Sequence, residues 1–559
     1  MLSYQKFWLF FFSFVFAATL HAKPNQYALA VPDHFAADVA EQVFADGGNA
    51  VDAAIAVGFS LAVTLPEAGN LGGGGFMLVY FAGKPYFIDY RETAPGAAHP
   101  DMYLNENGNV IGVSSLVGHK AAGVPGTVMG LWEAHQRFGT LPWQRLLAPA
   151  IGLAKQGFKA PPQLVKHIQE SLDFFAPTNF ADYFGHVRAD EIFIQTELAE
   201  TLQRISAQGI NDFYYGETAK LLVDSMKSND GLMTLEDLSS YRVVWRTPIE
   251  ATWRDKVLLT APLPSSGGIA LTTLLSMRDL LAEHFKGLPH NSVQYIHLLA
   301  EMEKRVYADR GEYLGDADFI DVPVNELLDP AYIAKRAAAV NPNAISHTEK
   351  VRPGLYESPQ TTHFSIVDAK GNAVSNTYTL NLSFGSGAVV EGAGFLLNDE
   401  MDDFSIKPGV PNAYGVIGGR ANEIQPGKRM LSSMTPTIVL AANGQVDMVT
   451  GSPGGSTIIT TVMQSILNNY DFGMSAENVA SVERVHHQLY PENLITYHPT
   501  LAKDVINGLT DMGYRVEQHP WTMGDLQLLL KKSDGEWSAG SDARGRGAAV
   551  VGEILTRQP

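Results

Sequence analysis

Gln360-Thr361-Thr362-His363-Phe364-Ser365-Ile366-Val367-Asp368-Ala369-Lys370-Gly371-Asn372-Ala373-Val374-Ser375-Asn376-Thr377-Tyr378-Thr379-Leu380-Asn381 reads as a β-hairpin. Two strand-like runs flank Asp368–Asn372, and Gly371 suits the positive-φ position of a short loop. Closed symmetrically about Lys370, the hairpin sets Thr361 opposite Thr379; a slip of one residue would break that pairing. Facing residues have Cβ atoms about 5 Å apart, within reach of a shared hydroxyl hydrogen bond. Thr377, Thr379 and Asn381 fall on one face by the two-residue strand period.

Two facing threonines matter only under one condition. A threonine hydroxyl is a poor nucleophile without a base beside it, and an N-terminal threonine carries that base as its own α-amine, of pKa about 8. An internal threonine has an amide there, so the scheme requires the Gln360–Thr361 bond to be cut. The plainer reading is that β-branched threonine simply makes good strands, and on the hairpin alone it weighs more.

Outward from the hairpin, the polar stretch Asn341–Gln360, with Pro342, Pro353, Gly354 and Pro359, reads as an exposed connector. Before it, residues 124–341 are expected to be mostly helical, with amphipathic stretches such as Thr127–Phe138, Leu146–Gln156 and Ser292–Arg310 carrying charge on one side. Earlier still, His34–Ala45 suits a helix stopped by Gly47-Gly48, and Asn49 caps a second helix, apolar nearly all round, through Leu61. Phe76–Phe81 and Tyr86–Tyr90 read as strands, as do Thr437–Leu440 and Gln445–Val449 after the hairpin. A helix follows at Ile458–Asn469. Helices and sheets in separate blocks predict a layered α+β fold.

The chain of 559 residues exceeds one ordinary hydrophobic core. Its formal charge of −19 excludes a nucleic-acid partner, which needs a Lys/Arg excess. With no cysteine, disulfides, a thiol nucleophile and thiolate metal sites are excluded. Lys6 and the apolar run Phe7–Leu20, ending at Ala22, suit a signal peptide at 1–22; the run is too short to span a bilayer. Export is therefore expected, to periplasm or medium, with no membrane insertion of the mature chain. Gly72–Gly75 lacks the Gly-Lys-Ser/Thr ending of a phosphate loop, His486-His487 has no zinc spacing, and Asp402-Asp403 is followed by no run of calcium ligands. Neither metal nor cofactor is expected.

Further blocks stand in order: Gly69-Asn70-Leu71-Gly72-Gly73-Gly74-Gly75-Phe76, Arg91-Glu92-Thr93-Ala94-Pro95, Pro264-Ser265-Ser266-Gly267-Gly268, Asn398-Asp399-Glu400-Met401-Asp402-Asp403-Phe404, Leu431-Ser432-Ser433-Met434-Thr435-Pro436 and Thr450-Gly451-Ser452-Pro453-Gly454-Gly455-Ser456. Together with the hairpin they resemble the γ-glutamyltranspeptidase family over nearly the whole mature chain. The resemblance implies a four-layer αββα N-terminal-nucleophile hydrolase fold and a precursor cut into a large subunit, 23–360, and a small catalytic subunit, 361–559, that stay together as a heterodimer.

It also implies roles that physical chemistry can weigh. Arg91 would clamp the substrate α-carboxylate with its fork, joined by the Ser432 and Ser433 hydroxyls. Asn381, Glu400 and Asp403 would surround the α-ammonium; Glu400 stands where other members carry glutamine. Gly454 and Gly455 would offer backbone N–H groups to the oxyanion, Thr379 would orient Thr361, and Tyr414 would tip a lid over residues 408–420. The implied activity transfers the γ-glutamyl group of glutathione through a Thr361 ester to water, an amino acid or a dipeptide. The alternatives are a cephalosporin (glutaryl) acylase of the same superfamily and an unprocessed exported amino-acid-binding protein.

Overall fold

The computed structural model describes residues 25–348, 351, 361–407 and 419–554. The predicted signal peptide, Gln360 and Tyr414 lie outside these residues, as does most of the expected lid.

The predicted hairpin forms, from Thr362–Val367 and Ala373–Thr379. Its register pairs Val367 with Ala373 and Thr362 with Tyr378, as closure about Lys370 requires. Gly371 takes φ +80, and Asp368 Oδ1 accepts from the amides of Lys370 and Asn372.

This hairpin is the middle of a seven-stranded antiparallel sheet. Its order is Ala548–Glu553, Gln26–Val31, Thr362–Val367, Ala373–Thr379, Gly74–Phe81, Lys84–Asp89 and Val244–Arg246. A second antiparallel sheet of six strands packs on it, in the order Trp537–Ser541, Gln527–Lys531, Val446–Gly451, Thr437–Leu440, Lys256–Thr260 and Ile249–Trp253.

Side-chain alternation assigns each face. Phe364, Ile366, Met77 and Val79 point to one core, shared with helix Ala50–Thr64. Phe76, Leu78 and Ala30 point to the other, shared with the second sheet and with helices Gly267–Leu280, Val293–Tyr313 and Thr457–Tyr470. Helices thus cover both outer faces, which gives the expected α+β, αββα layering. A central strand covered on both sides must be buried throughout, and every residue of Thr362–Val367 is.

Ala50–Thr64 is buried along its whole length, with Asn49 and Asp52 closing a capping box. Asn49 therefore caps as predicted, while the helix runs three residues past Leu61.

The middle section is mostly helical, as expected, and two of its features go beyond that reading. Within 124–341 lie three strands of the two large sheets, Val244–Arg246, Ile249–Trp253 and Lys256–Thr260, the first at the edge of one sheet and the other two at the edge of the other. Their shortness hid them. The charged side of the helix expected at Ser292–Arg310 is also not a solvent face. Glu301, Glu303, Lys304, Arg305 and Arg310 are each 3% exposed or less, because residues from the C-terminal part cover them. His487 N donates to Glu303 and Tyr514 contacts Glu301. Among the described residues no helix is long and apolar enough to cross a membrane.

Candidate active site

Thr361 stands one residue before its strand and is 9% exposed. Extending the register places it opposite Thr379, and its Oγ1 donates to Thr379 Oγ1 at 3.5 Å, longer than a standard hydroxyl bond. Thr379 Oγ1 also accepts from the Asn381 amide at 2.8 Å. The Thr379 carbonyl is held by Asn70 Nδ2 at 2.9 Å.

The glycine run before Phe76 has its physical reason here. A Cβ on Gly73 would lie 2.0 Å from the Thr379 carbonyl oxygen, and one on Gly75 2.5 Å from that of Thr377. Only glycine lets the neighbouring strand approach this closely.

Behind the nucleophile strand the space between the sheets is polar. His363 is fully buried, which pushes its pKa down to about 3. Its nitrogens bond Thr377 Oγ1 at 2.8 Å and Ser365 Oγ at 3.1 Å. Its ring occupies the place a Gly451 Cβ would take, 2.2 Å from Cε1. The end of strand Val446–Gly451 therefore rests two residues from Thr361, and Gly454-Gly455 follow at that edge. Gly454 has φ +135 and Gly455 φ +55, just before helix Thr457–Tyr470. Among the described residues neither of these amides donates to a protein acceptor.

From Asn381 the site continues into an acidic turn. Asn381, at φ +79, donates from Nδ2 to the Asp399 carbonyl at 3.0 Å. Glu400–Asp403 forms a short 3-10 turn. Arg91 is 1% exposed and pairs with Asp403, with Glu400 Oε2 at 2.5 Å, and with Glu92 at 3.5 Å. The Glu400 contact is an ion pair without hydrogen-bond alignment, and among the described residues neither Glu400 oxygen has a donor. Arg91 Nε donates to the Met430 carbonyl at 3.4 Å, two residues before Ser432.

The electrostatics are lopsided. Glu92, Asp399, Glu400 and Asp402 are all fully buried. Burial raises the carboxyl pKa of Glu92 and of Asp402 to about 8, and pushes Asp399 and Glu400 well above the usual range. Arg91 gains basicity: burial opposes its charge, but Glu400, Asp403 and Glu92 outweigh that penalty. Several buried acids around one guanidinium favour an incoming cation.

The structure thus brings together Arg91, Asn381, Glu400, Asp403, Ser432 and Ser433, and separately Thr361, Thr379 and the strand leading to Gly454-Gly455. Residues assigned to opposite ends of a substrate, Arg91 on one side and Glu400 and Asp403 on the other, are in direct ion pairs here. The sequence reading quoted Glu92, Asp399 and Ser266 within its blocks but gave neither these nor Arg310 a role in the site. Arg310 donates to Ser266 Oγ at 2.8 Å and to Ser433 Oγ at 3.0 Å; no local pattern marks it. A cavity of about 340 Å³ is lined by residues such as Trp245, Ile249, Leu263 and Val324 and includes none of the site residues. Among the described residues no cluster of His, Cys, Asp and Glu has metal-binding geometry.

A sandwich of two antiparallel sheets between helices, with a threonine at the head of a central strand, defines the class of N-terminal-nucleophile hydrolases. A cephalosporin acylase from Bacillus halodurans has the same fold, with TM-score 0.81 at 24% identity over 94% of this chain and 96% of that one. The family model for gamma-glutamyltranspeptidase matches residues 36–552, and the chain belongs to that family. It is 58% identical over 543 residues to a glutathione hydrolase proenzyme of Pseudomonas aeruginosa, covering 96% of each. A gamma-glutamyltranspeptidase from Pseudomonas nitroreducens, solved with L-DON, is 60% identical at TM-score 0.58, covering 58% of this chain and 97% of that one.

Proposed function

We propose that the exported precursor cuts itself between Gln360 and Thr361 and then acts as a γ-glutamyltransferase and glutathione hydrolase. In the precursor, the Thr361 hydroxyl attacks the Gln360 carbonyl carbon and the peptide nitrogen leaves it, forming an ester. Water hydrolyses that ester, leaving a Gln360 carboxylate and a free Thr361 amine. The amine then takes the proton of its own hydroxyl as Oγ1 attacks the γ-carbonyl of glutathione. The oxyanion is received by the Gly454 and Gly455 amides, cysteinylglycine leaves with the proton, and a γ-glutamyl ester remains on Thr361. Water or the amine of an amino acid or dipeptide then takes the acyl group.

The observation that carries this reading is the placement of a charge-matched amino-acid seat beside the threonine pair. A donor with both an α-carboxylate and an α-ammonium can replace the internal ion pairs one for one. Its carboxylate takes Arg91 with the Ser432 and Ser433 hydroxyls; its ammonium takes Asn381, Glu400 and Asp403. A glutaryl side chain has no ammonium and would leave that half of the seat unmatched, which argues against the acylase alternative.

The sheet order also explains why the cut pieces would stay joined as a heterodimer. Strands from before and after residue 360 interleave in the seven-stranded sheet and meet at three ladders, Ala548–Glu553 with Gln26–Val31, Gln26–Val31 with Thr362–Val367, and Ala373–Thr379 with Gly74–Phe81. Separating them would expose ladder after ladder of unpaired backbone groups. The test is a denaturing gel of the purified mature protein with N-terminal sequencing of the smaller fragment. Two fragments, the smaller beginning at Thr361, are expected; an intact chain would favour an unprocessed binding protein and overturn the reading.

A further inference from the structure

Helix Val293–Tyr313 lies beneath the site and touches both of its halves. Tyr307 and Arg310 share a face one turn apart. Tyr307 donates its hydroxyl to the Ser456 carbonyl, next to Gly455. Arg310 reaches the carboxylate side through two arms. Its Nη2 donates to Ser433 Oγ at 3.0 Å. Its Nε donates to Ser266 Oγ at 2.8 Å, and Ser266 Oγ passes its proton to the Ser432 carbonyl at 2.7 Å. One guanidinium therefore braces two consecutive serines.

A hydroxyl has one proton and two acceptor pairs, and a guanidinium can only donate. Each serine that faces Arg310 must therefore send its own proton elsewhere. Ser266 spends it inside the protein, on Ser432. Among the described residues Ser433 Oγ has no such acceptor. Ser432 Oγ likewise accepts, from the Met434 amide at 3.1 Å.

We infer that Arg310 is a specificity-setting positioning residue, which turns the Ser433 proton outward and so selects donors that carry an α-carboxylate. This rests on the carboxylate seat proposed above. Arg310 acts on the carboxylate through the serines it bonds, so its effect should depend on them. Burial lowers its pKa to about 10, which leaves it a cation at neutral pH and adds positive potential behind the seat. Lysine would keep that charge but could not serve both arms from fixed positions.

The test uses fully cleaved enzyme and two competitive inhibitors, L-glutamate and 4-aminobutanoate, which differ only in the α-carboxylate. Arg310→Lys should raise the Ki of glutamate about tenfold, the size of one charge-assisted contact, and that of 4-aminobutanoate less than about twofold. In a Ser433→Ala background the same substitution should change the glutamate Ki less than about threefold. Equal rises for both inhibitors, or an undiminished effect without Ser433, would reduce Arg310 to a structural brace and overturn the inference. If Arg310→Lys fails to mature, Ser266→Ala removes one arm with the guanidinium in place, and it must still penalise glutamate selectively. Wild-type enzyme with no preference between the inhibitors would sink the seat itself. A wild-type preference that Arg310→Lys leaves unchanged would sink only the role of Arg310.

Discussion

The threonine hairpin and the arginine–carboxylate seat are neighbours, yet the chain builds them in opposite ways. Thr361 and Thr379 are 18 residues apart and meet because a short loop fixes one register. Arg91 and Asp403 are 312 residues apart and meet only when strand Lys84–Asp89 and the Glu400–Asp403 turn dock. The first region depends on strand period, the second on tertiary packing and on charge taken out of water. Chemistry that must not be misaligned sits on the local element. Recognition, which can re-pair its charges when a donor arrives, sits on the long-range one.

Removing the hydroxyl tests the first region most harshly. Thr361→Ala should abolish cleavage and cut turnover more than about 10⁴-fold. Normal processing in that variant, read on a denaturing gel, would break the claim that one hydroxyl serves both reactions. Thr361→Ser should retain part of both.

In the seat the losses should be smaller, because maturation is spared. Arg91→Lys keeps the charge but loses the fork, and kcat/KM for γ-glutamyl-p-nitroanilide should fall about ten- to a hundredfold. A comparable block in cleavage would mean that the two regions are not separable. Asp403→Asn should lower the efficiency ratio of γ-glutamyl- to glutaryl-p-nitroanilide about tenfold, since only the first carries an ammonium. An unchanged ratio removes Asp403 from ammonium recognition.

The join between nucleophile and oxyanion loop can be probed through stability. Gly451→Ala places a methyl into the His363 ring and should cost about 1–3 kcal/mol in denaturant unfolding of the mature enzyme. Combined with His363→Ala it should cost less than the sum of the two.

The smallest effect concerns protons. Glu400 has a folded pKa raised by burial well above its ordinary value of 4.5. Such a group contributes stability that is fully present below about pH 4.5 and lost as pH rises through the folded pKa. Between pH 6 and 9, Glu400→Gln should therefore lose less Tm than wild type, by about 2–4 °C. Parallel curves would show that Glu400 does not hold its proton in the folded state.

The hairpin, its register, the buried second helix and its Asn49 cap were legible because each follows from period, turn chemistry or capping within a few residues. The proposed site residues could be read only as types: a fork suited to a carboxylate, acids suited to an ammonium, glycines suited to an oxyanion. Their order along the chain pointed to the family, but no spacing could say that Arg91 pairs with Asp403 and Glu400. Nor could it show the three strands at 244–260, too short to display a period, or the burial of the charged face of helix Val293–Tyr313. By itself the sequence determined which elements form and which chemistry each can supply, since dihedral preference and side-chain type are local properties. Only the tertiary structure decided which charges lose water together and which serine protons find no internal acceptor, because desolvation depends on everything that packs around a group.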